Sequence, residues 1–239
     1  MTTGFFRFPH TPHLAWLGSG SPRDDKVLSG AEVQGLLAGD VVVEEKVDGA
    51  NLGFSFEETG RLQVQSRGQF LTEPYGGQFA RLSQWIRLHG DSMTEFLKPH
   101  WIGFGEWCAA RHSLDYDRLP DWWLMFDLYD GDSRSFLPTA SRNTFAEQAG
   151  LATVVELFRG RTTLPTLERL LMSAKSRYRT GALEGIVVRS ESPIGRGVRA
   201  KLVRPDFAQS IQRHWRSRRI EWNSLGAPIE TAFGVRDSC

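Results

Sequence analysis

Lys46 lies between Glu45 and Asp48 in the run V-V-V-E-E-K-V-D-G-A-N, at the passage from an extended apolar segment into a glycine turn. A lysine there can do two kinds of chemistry. Its ammonium can pair with phosphate, and its deprotonated amine can attack phosphorus to form a phosphoramidate. The flanking acids favour the ammonium, so nucleophilic use requires a metal cation, the geometry of a departing phosphate or neighbouring basic groups to offset them. A surface salt bridge is the plainer alternative. Further along, Glu184 stands in E-G immediately before the apolar run I-V-V-R, where a carboxylate can enter a pocket while the next residues anchor a sheet. Arg199 and Lys201 are two residues apart, which puts both on one face of an extended segment. Arg189 can add to the same positive field or serve as a charge-paired structural arginine.

These residues need a scaffold. The segment 41–56 is rich in β-branched and aromatic residues and broken by D-G-A-N, and L-Q-V-Q-S-R alternates apolar with polar residues, as a half-buried antiparallel partner does. W-I-G-F-G-E-W and W-W-L-M-F-D-L-Y-D are short enough to be strands of a buried sheet, and G-I-V-V-R and V-R-A-K-L-V flank a turn. Ser29 caps a short helix ending near Gly39. Apolar positions from Phe79 to Leu97 predict two helices, or one interrupted at H-G-D-S. Further helices are predicted over about 142–148 and 166–177, and a basic helix over 206–222 with Phe207, Ile211 and Trp215 as its apolar stripe. The opening F-F-R-F-P-H-T-P-H is expected to wrap across the domain; His10 and His13, separated by T-P, suit packing better than metal ligation. Strands before and after the helices indicate an α+β domain rather than regular βαβ winding. The expected division is a wrapping segment with a short helix over 1–40, a core over 41–207, and a basic helix and tail over 208–239 packed on that core.

Composition bounds the class. The 239 residues are 40% hydrophobic and 24% charged, enough for a packed core. Cys108 and Cys239 make neither a disulfide framework nor a zinc cluster, and no long apolar run or signal-peptide pattern occurs, so a cytoplasmic protein without membrane association is expected. Net charge is only +1, but from Arg196 to Arg219 eight basic residues face one acid, a local charge of +7. Glycines 49, 53 and 60 lack the spacing of a dinucleotide-binding turn, and no phosphate-binding G-x-x-x-x-G-K-[ST] occurs.

The ordered series E-K-V-D-G-A-N, S-R-G, G-E-W, F-D-L-Y-D, E-G-I-V-V-R and R-A-K-L-V, spread from Val41 to Phe207, resembles the nucleotidyltransferase motifs of the ATP-dependent RNA ligase family. Its arrangement is similar to the RNA-repair branch represented by bacteriophage T4 RNA ligase 2. The resemblance implies a covalent adenylation domain whose antiparallel sheets surround a nucleotide cleft. It also implies sealing of a 3′-hydroxyl to a 5′-phosphate at the expense of ATP, through enzyme–AMP and adenylated-RNA intermediates.

By that resemblance Lys46 is the adenylated nucleophile and Glu45 reads adenine. Asn51 and Arg67 lie near the phosphates or the nucleic-acid end, Glu106 contacts ribose and Phe126 stacks on the base. Glu184 is the acid associated with Mg2+ or Mn2+, and Lys201 contacts the α-phosphate. Arg199 stands where many relatives carry lysine, which keeps the charge and changes the hydrogen-bond geometry. On residue type alone, Phe126 also suits ordinary packing and Glu106 a buried ion pair, and Asp127 and Asp130 are either metal ligands or solvent-facing acids. In the basic helix Arg213, Arg216, Arg218 and Arg219 suit phosphate contacts, while Trp215 and Trp222 suit stacking or packing. His112 suits ordinary hydrogen bonding. The expected partner is RNA with 3′-hydroxyl and 5′-phosphate ends, bound by a monomer, with an RNA-end-processing protein as a further candidate. A DNA ligase, a non-catalytic nucleotide-dependent RNA-binding module and a GTP-using capping enzyme stay open.

Overall fold

The computed structural model describes residues 4–20, 22, 26–191, 198–210 and 219–226. Ten strands form two antiparallel sheets. Sheet A has the order β10-β9-β1-β8, from β1 (Val41–Lys46), β8 (Glu156–Gly160), β9 (Gly185–Ser190) and β10 (Arg199–Val203). Sheet B has the order β4-β3-β2-β5-β6-β7, from β2 (Ala50–Phe56), β3 (Leu62–Ser66), β4 (Phe70–Leu71), β5 (Trp101–Trp107), β6 (Trp123–Asp130) and β7 (Ser135–Phe136). This is the α+β arrangement expected.

On most strands period-two alternation separates an apolar outer face from an inner face that carries the charged residues. On sheet A, Val41, Val43, Ile186, Val188, Ala200 and Leu202 pack outward beneath α1 (Gly30–Leu37) and α4 (Leu164–Ser173), through Leu36, Leu167 and Leu171. On sheet B, Leu52, Phe54, Phe56, Trp107 and Trp123 pack outward against α2 (Leu82–Phe96) and α3 (Thr139–Gln148), through Leu82, Trp85, Met93 and Phe145. The residues left over, Glu44, Lys46, Arg189, Arg199 and Lys201 on one sheet and Asn51, Glu106 and Asp127 on the other, occupy the inner faces. Two apolar cores thus outline a polar seam.

Several elements differ from the sequence expectation. The helix α2 runs through His89 and Gly90 without a break, because Trp85 on its buried face stacks on His89 and donates its indole N–H to Asp121. The helix α4 stops at Ser173, since Ser176 and Tyr178 turn inward to bond Glu45 and the Val155 amide. The strand β8 was not predicted; its residues are mostly half-buried or exposed and carry no clean alternation. Of the basic helix, α5 (Pro205–Ser210) is described, and Ile211, Arg213, Trp215, Arg216 and Arg218 lie outside the described residues.

The N-terminal segment touches both sheets. His13 pairs in parallel with Lys201 of β10: the Lys201 amide donates to Pro12 O at 2.8 Å and the Leu14 amide to Lys201 O at 2.7 Å. Ahead of that contact, Phe6 stacks on Tyr129 and Phe8 packs edge-on against Phe126 and tilted against Phe104. His13 is buried by this packing, edge-on to Trp16.

Candidate active site

Lys46 is the last residue of β1, paired with Gly185 at the start of β9, so Glu184 stands directly beside it. The Lys46 ammonium donates to both Glu184 oxygens, at 2.7 and 2.8 Å, and the two side chains are 24% and 11% exposed, respectively. Burial works against the ammonium, but the charges of Glu184, Asp48 and Glu106 outweigh it and hold Lys46 above the ordinary lysine value. The resting site therefore stores its lysine protonated. The Glu184 carboxyl is itself raised by burial, which the nearby Lys46 and Lys201 charges partly offset.

The turn that follows β1 is pressed against β5. A Cβ on Gly49 would come within 2.4 Å of the Trp107 carbonyl oxygen, so only glycine allows this approach, and it lets the Gly49 amide donate to Glu106 at 3.0 Å. Asn51 then sits directly across from Glu106 in the β2–β5 register. Both polar atoms of the buried Asn51 amide, and the Nε of Arg67, have no hydrogen-bond partner. Unsatisfied buried polar atoms on the wall of a cleft are what a missing polar ligand leaves behind.

Burial pushes the Glu106 carboxyl up to about 7, with Asp48 adding to the rise and Lys46, Arg67 and the Gly49 amide opposing it. The sign of the pH effect follows. An unfolded glutamate loses its proton near 4.5, the folded one near 7, so the stability this group contributes is complete below the first value and lost as pH rises through the second. Glu106→Gln is expected to flatten the curve of denaturation midpoint against pH between those values. An unaltered curve in the variant contradicts the assignment.

Phe126 occupies a β-bulge: Phe104 pairs with Asp127 and Gly105 with Met125, leaving Phe126 without an opposite residue. A bulge redirects a side chain out of the alternation. Its carbonyl accepts from Arg142 at 2.8 Å and Arg189 at 3.0 Å, which pins the kink. Those arginines belong to a buried network that the sequence did not announce. Glu44 accepts from Arg142 at 2.5 Å and pairs with Arg189 at 3.0 Å, while Asp127 pairs with Arg189 at 2.6 Å and with Arg199.

Two side chains of the expected set have partners away from Lys46. Arg199 does share a strand face with Lys201, but its guanidinium is buried against Asp127 and over the Phe136 ring, 3.8 Å from its centroid, so it joins the sheets rather than lining the cleft. The strand spacing was right and the depth was not. Glu45, adjacent to the nucleophile, alternates away from it; its carboxylate accepts from the Ser176 hydroxyl and the Arg177 amide at 2.9 Å. That side chain is committed to the 176–178 turn and does not open onto the cleft. Likewise Asp127 is an ion-pair partner rather than a metal ligand, and Asp130 accepts from the Asp132 amide and the Ser133 hydroxyl.

The structure brings together Lys46, Asn51, Glu106 and Glu184, with Arg67 and Lys201 close enough for their charges to act on Glu106 and Glu184. It also adds Asp48, whose carboxylate accepts from the Ser113 and Leu114 amides at 2.7 and 3.2 Å. The sequence marked it only as an acid flanking Lys46 in a D-G turn. His112, expected to make ordinary hydrogen bonds, meets Gln78 at 2.8 Å.

Glu184, Asp48 and Glu106 offer oxygen donors only, the set that Mg2+ and Mn2+ prefer, and their charges act on one lysine, so the site fits such an ion. Among the described residues the one tight trio of ligand atoms, His100, Asp130 and Asp132, lies at the opposite end of the β5–β6 pair from Glu106.

The sequence profile of the RNA ligase family matches residues 39–203, more than half of the chain and all of the elements that line the cleft. The chain belongs to the RNA ligase family. No curated protein matches the sequence. Among solved structures, a variant of Naegleria gruberi RNA ligase with ATP and Mn is similar at 14% identity and a TM-score of 0.57, covering 76% of this chain and 54% of that one. The same ligase with PPi gives 18% identity and a TM-score of 0.58 over 74% of this chain and 55% of that one. A variant with AMP and Mn gives 15% and 0.54, with coverages of 74% and 55%. At such identities the likeness establishes the fold, and this RNA ligase family chain spans about half the length of those structures. No described helix is long and apolar enough to cross a membrane.

Proposed function

We propose that this chain is an ATP-dependent RNA ligase that joins 3′-hydroxyl and 5′-phosphate ends through a lysyl-AMP intermediate on Lys46. The observation that carries the reading is the Lys46–Glu184 pair on the inner face of one sheet together with the unsatisfied Asn51 amide on the inner face of the other. The Naegleria ligase structures with ATP and with AMP support a nucleotide in such a fold.

In this mechanism the Lys46 amine attacks the α-phosphorus of ATP in line with pyrophosphate, forming a P–N bond as the P–O bond breaks. The ammonium must first lose its proton, against the pull of Glu184, Asp48 and Glu106. Lys201 supplies positive charge to the phosphate, and Glu184 is the residue that would hold a Mg2+ or Mn2+ ion, which when bound neutralises phosphate charge. Phe126 and Glu106 hold base and ribose, with Asn51 and Arg67 toward the phosphates. The 5′-phosphate of RNA then takes AMP from Lys46, and the 3′-hydroxyl displaces AMP from the activated end.

Incubation with α-labelled ATP and magnesium, followed by denaturing mass analysis, tests the reading. The expected product is one AMP on Lys46, with ATP preferred over GTP and matched RNA nicks sealed in preference to DNA nicks. Absence of any adduct in folded protein rejects ligation and leaves nucleotide-dependent RNA binding. Lys201→Ala and Glu184→Ala are each expected to slow labelling about 10²-fold or more, the usual scale for removing a charge that stabilises a transition state, at an unchanged far-UV spectrum.

A further inference from the structure

Twenty residues beyond the last one matched to the family, the chain comes back to the site. Residues 219–226 run along the segment 108–119, and Asn223 is the centre of the contact. It is 5% exposed; its Nδ2 donates to Cys108 O at 2.7 Å, its Oδ1 accepts from the Tyr116 amide at 2.8 Å, and its own amide donates to Ala109 O at 2.9 Å. Around it the Arg111 amide donates to Glu221 O, the Ser224 amide to Tyr116 O and the Gly226 amide to Leu119 O, at 2.9, 2.9 and 2.8 Å. A side-chain amide can serve a carbonyl and an N–H at once, as a neighbouring strand would.

The segment gripped in this way is the one that grips Asp48. Its Ser113 and Leu114 amides donate to the Asp48 carboxylate, and the buried Tyr116 hydroxyl accepts the Asp48 backbone N–H at 2.8 Å. Tyr116 thus stands in both contacts: its amide is held by Asn223 and its hydroxyl holds the turn two residues after the nucleophile. Without Asn223, buried backbone groups of an irregular loop lose their partners, and the loop must shift to find others.

We infer that Asn223 is a positioning residue for adenylylation, fixing Asp48 beside Lys46 by way of Tyr116 and the 108–119 loop. The inference rests on the lysyl-AMP reading and adds a residue outside the family's motifs. It differs from a purely structural role in one measurable respect. A structural role lowers the fraction of protein that is folded, whereas a positioning role lowers the rate constant of every folded molecule.

Single-turnover labelling with α-labelled ATP, at saturating and sub-saturating nucleotide, separates the two. Asn223→Ala is expected to lower the rate constant about 10-fold, with the labelled fraction at completion and the apparent affinity for ATP both within about twofold of wild type. In an Asp48→Asn background the same change is expected to slow labelling by less than about twofold, because residues acting through one another are not additive. Tyr116→Phe, which removes a single oxygen, is expected to behave as Asn223→Ala does and serves if the latter does not fold. Equal slowing in both backgrounds overturns the inference, as does an unchanged rate constant with only a lower melting temperature. Unlabelled wild type instead rejects the ligase reading on which the inference stands.

Discussion

Lys46→Ala is expected to eliminate the AMP adduct, and Lys46→Arg to do so without disturbing the site. The alanine change removes the nucleophile, and loss of a group on which covalent catalysis depends costs roughly four orders of magnitude or more in rate. It also strands the Glu184 carboxylate in a partly buried position next to Asp48 and Glu106, so some of its effect would come from local rearrangement. Arginine keeps a cation against Glu184 but stays protonated, so it cannot attack phosphorus. The pair of variants therefore separates charge from nucleophilicity. Denaturing mass analysis after exposure to labelled ATP and magnesium should find no AMP on either, while Lys46→Arg melts close to wild type. An adduct of wild-type size on either variant would move the nucleophile elsewhere and overturn the mechanism.

The second large effect is on stability. Asp127→Ala is expected to lower the melting temperature by about 6–20 °C, from about 3–5 kcal/mol for leaving buried charge without its partner in a domain of this size. The residue is 1% exposed and faces both Arg189 and Arg199, which are 7% exposed each. Its removal leaves two guanidinium groups between the sheets with Glu44 as the nearest remaining acid, already shared by Arg142 and Arg189. Asp127→Asn keeps the shape and an acceptor and should lose less. Calorimetry of the two variants beside wild type measures the difference, and a loss below about 1 kcal/mol in Asp127→Ala, the range of exposed pairs, would show that the network is not under the constraint its burial implies. Because Arg189 also donates to Phe126 O, the variant should bind nucleotide more weakly as well.

Much of the site could be read from local sequence. Lys46, Asn51, Glu106 and Glu184 each stand in a short strand or turn whose residue types and order are distinctive, and the two-residue spacing of Arg199 and Lys201 correctly put them on one face. What strand spacing cannot carry is what covers that face. Sheet B lies over Arg199, and nothing near position 199 names Asp127 or Phe136 as its neighbours. The partners of Glu45 were hidden for the opposite reason. Its adjacency to Lys46 in sequence means, in a strand, that it points the other way, and the groups that claim it, Ser176 and Arg177, lie more than a hundred residues along. The strand β8 and the grip of Asn223 on the 108–119 loop have the same character, since each is defined by distant partners rather than by its own pattern.

The parallel pairing of His13 with Lys201 also bears on how such a chain is made. His13 precedes its backbone partner by 188 residues, so the segment stays unpaired at that point until β10 has been made. Phe6 and Phe8 find their ring partners Phe104, Phe126, Tyr129 and Phe136 on strands made earlier, so the aromatic part of the segment can seat before its backbone part does. Substitutions at Phe6 or Phe8, which leave every motif untouched, bear on that closure and hence on the yield of soluble product.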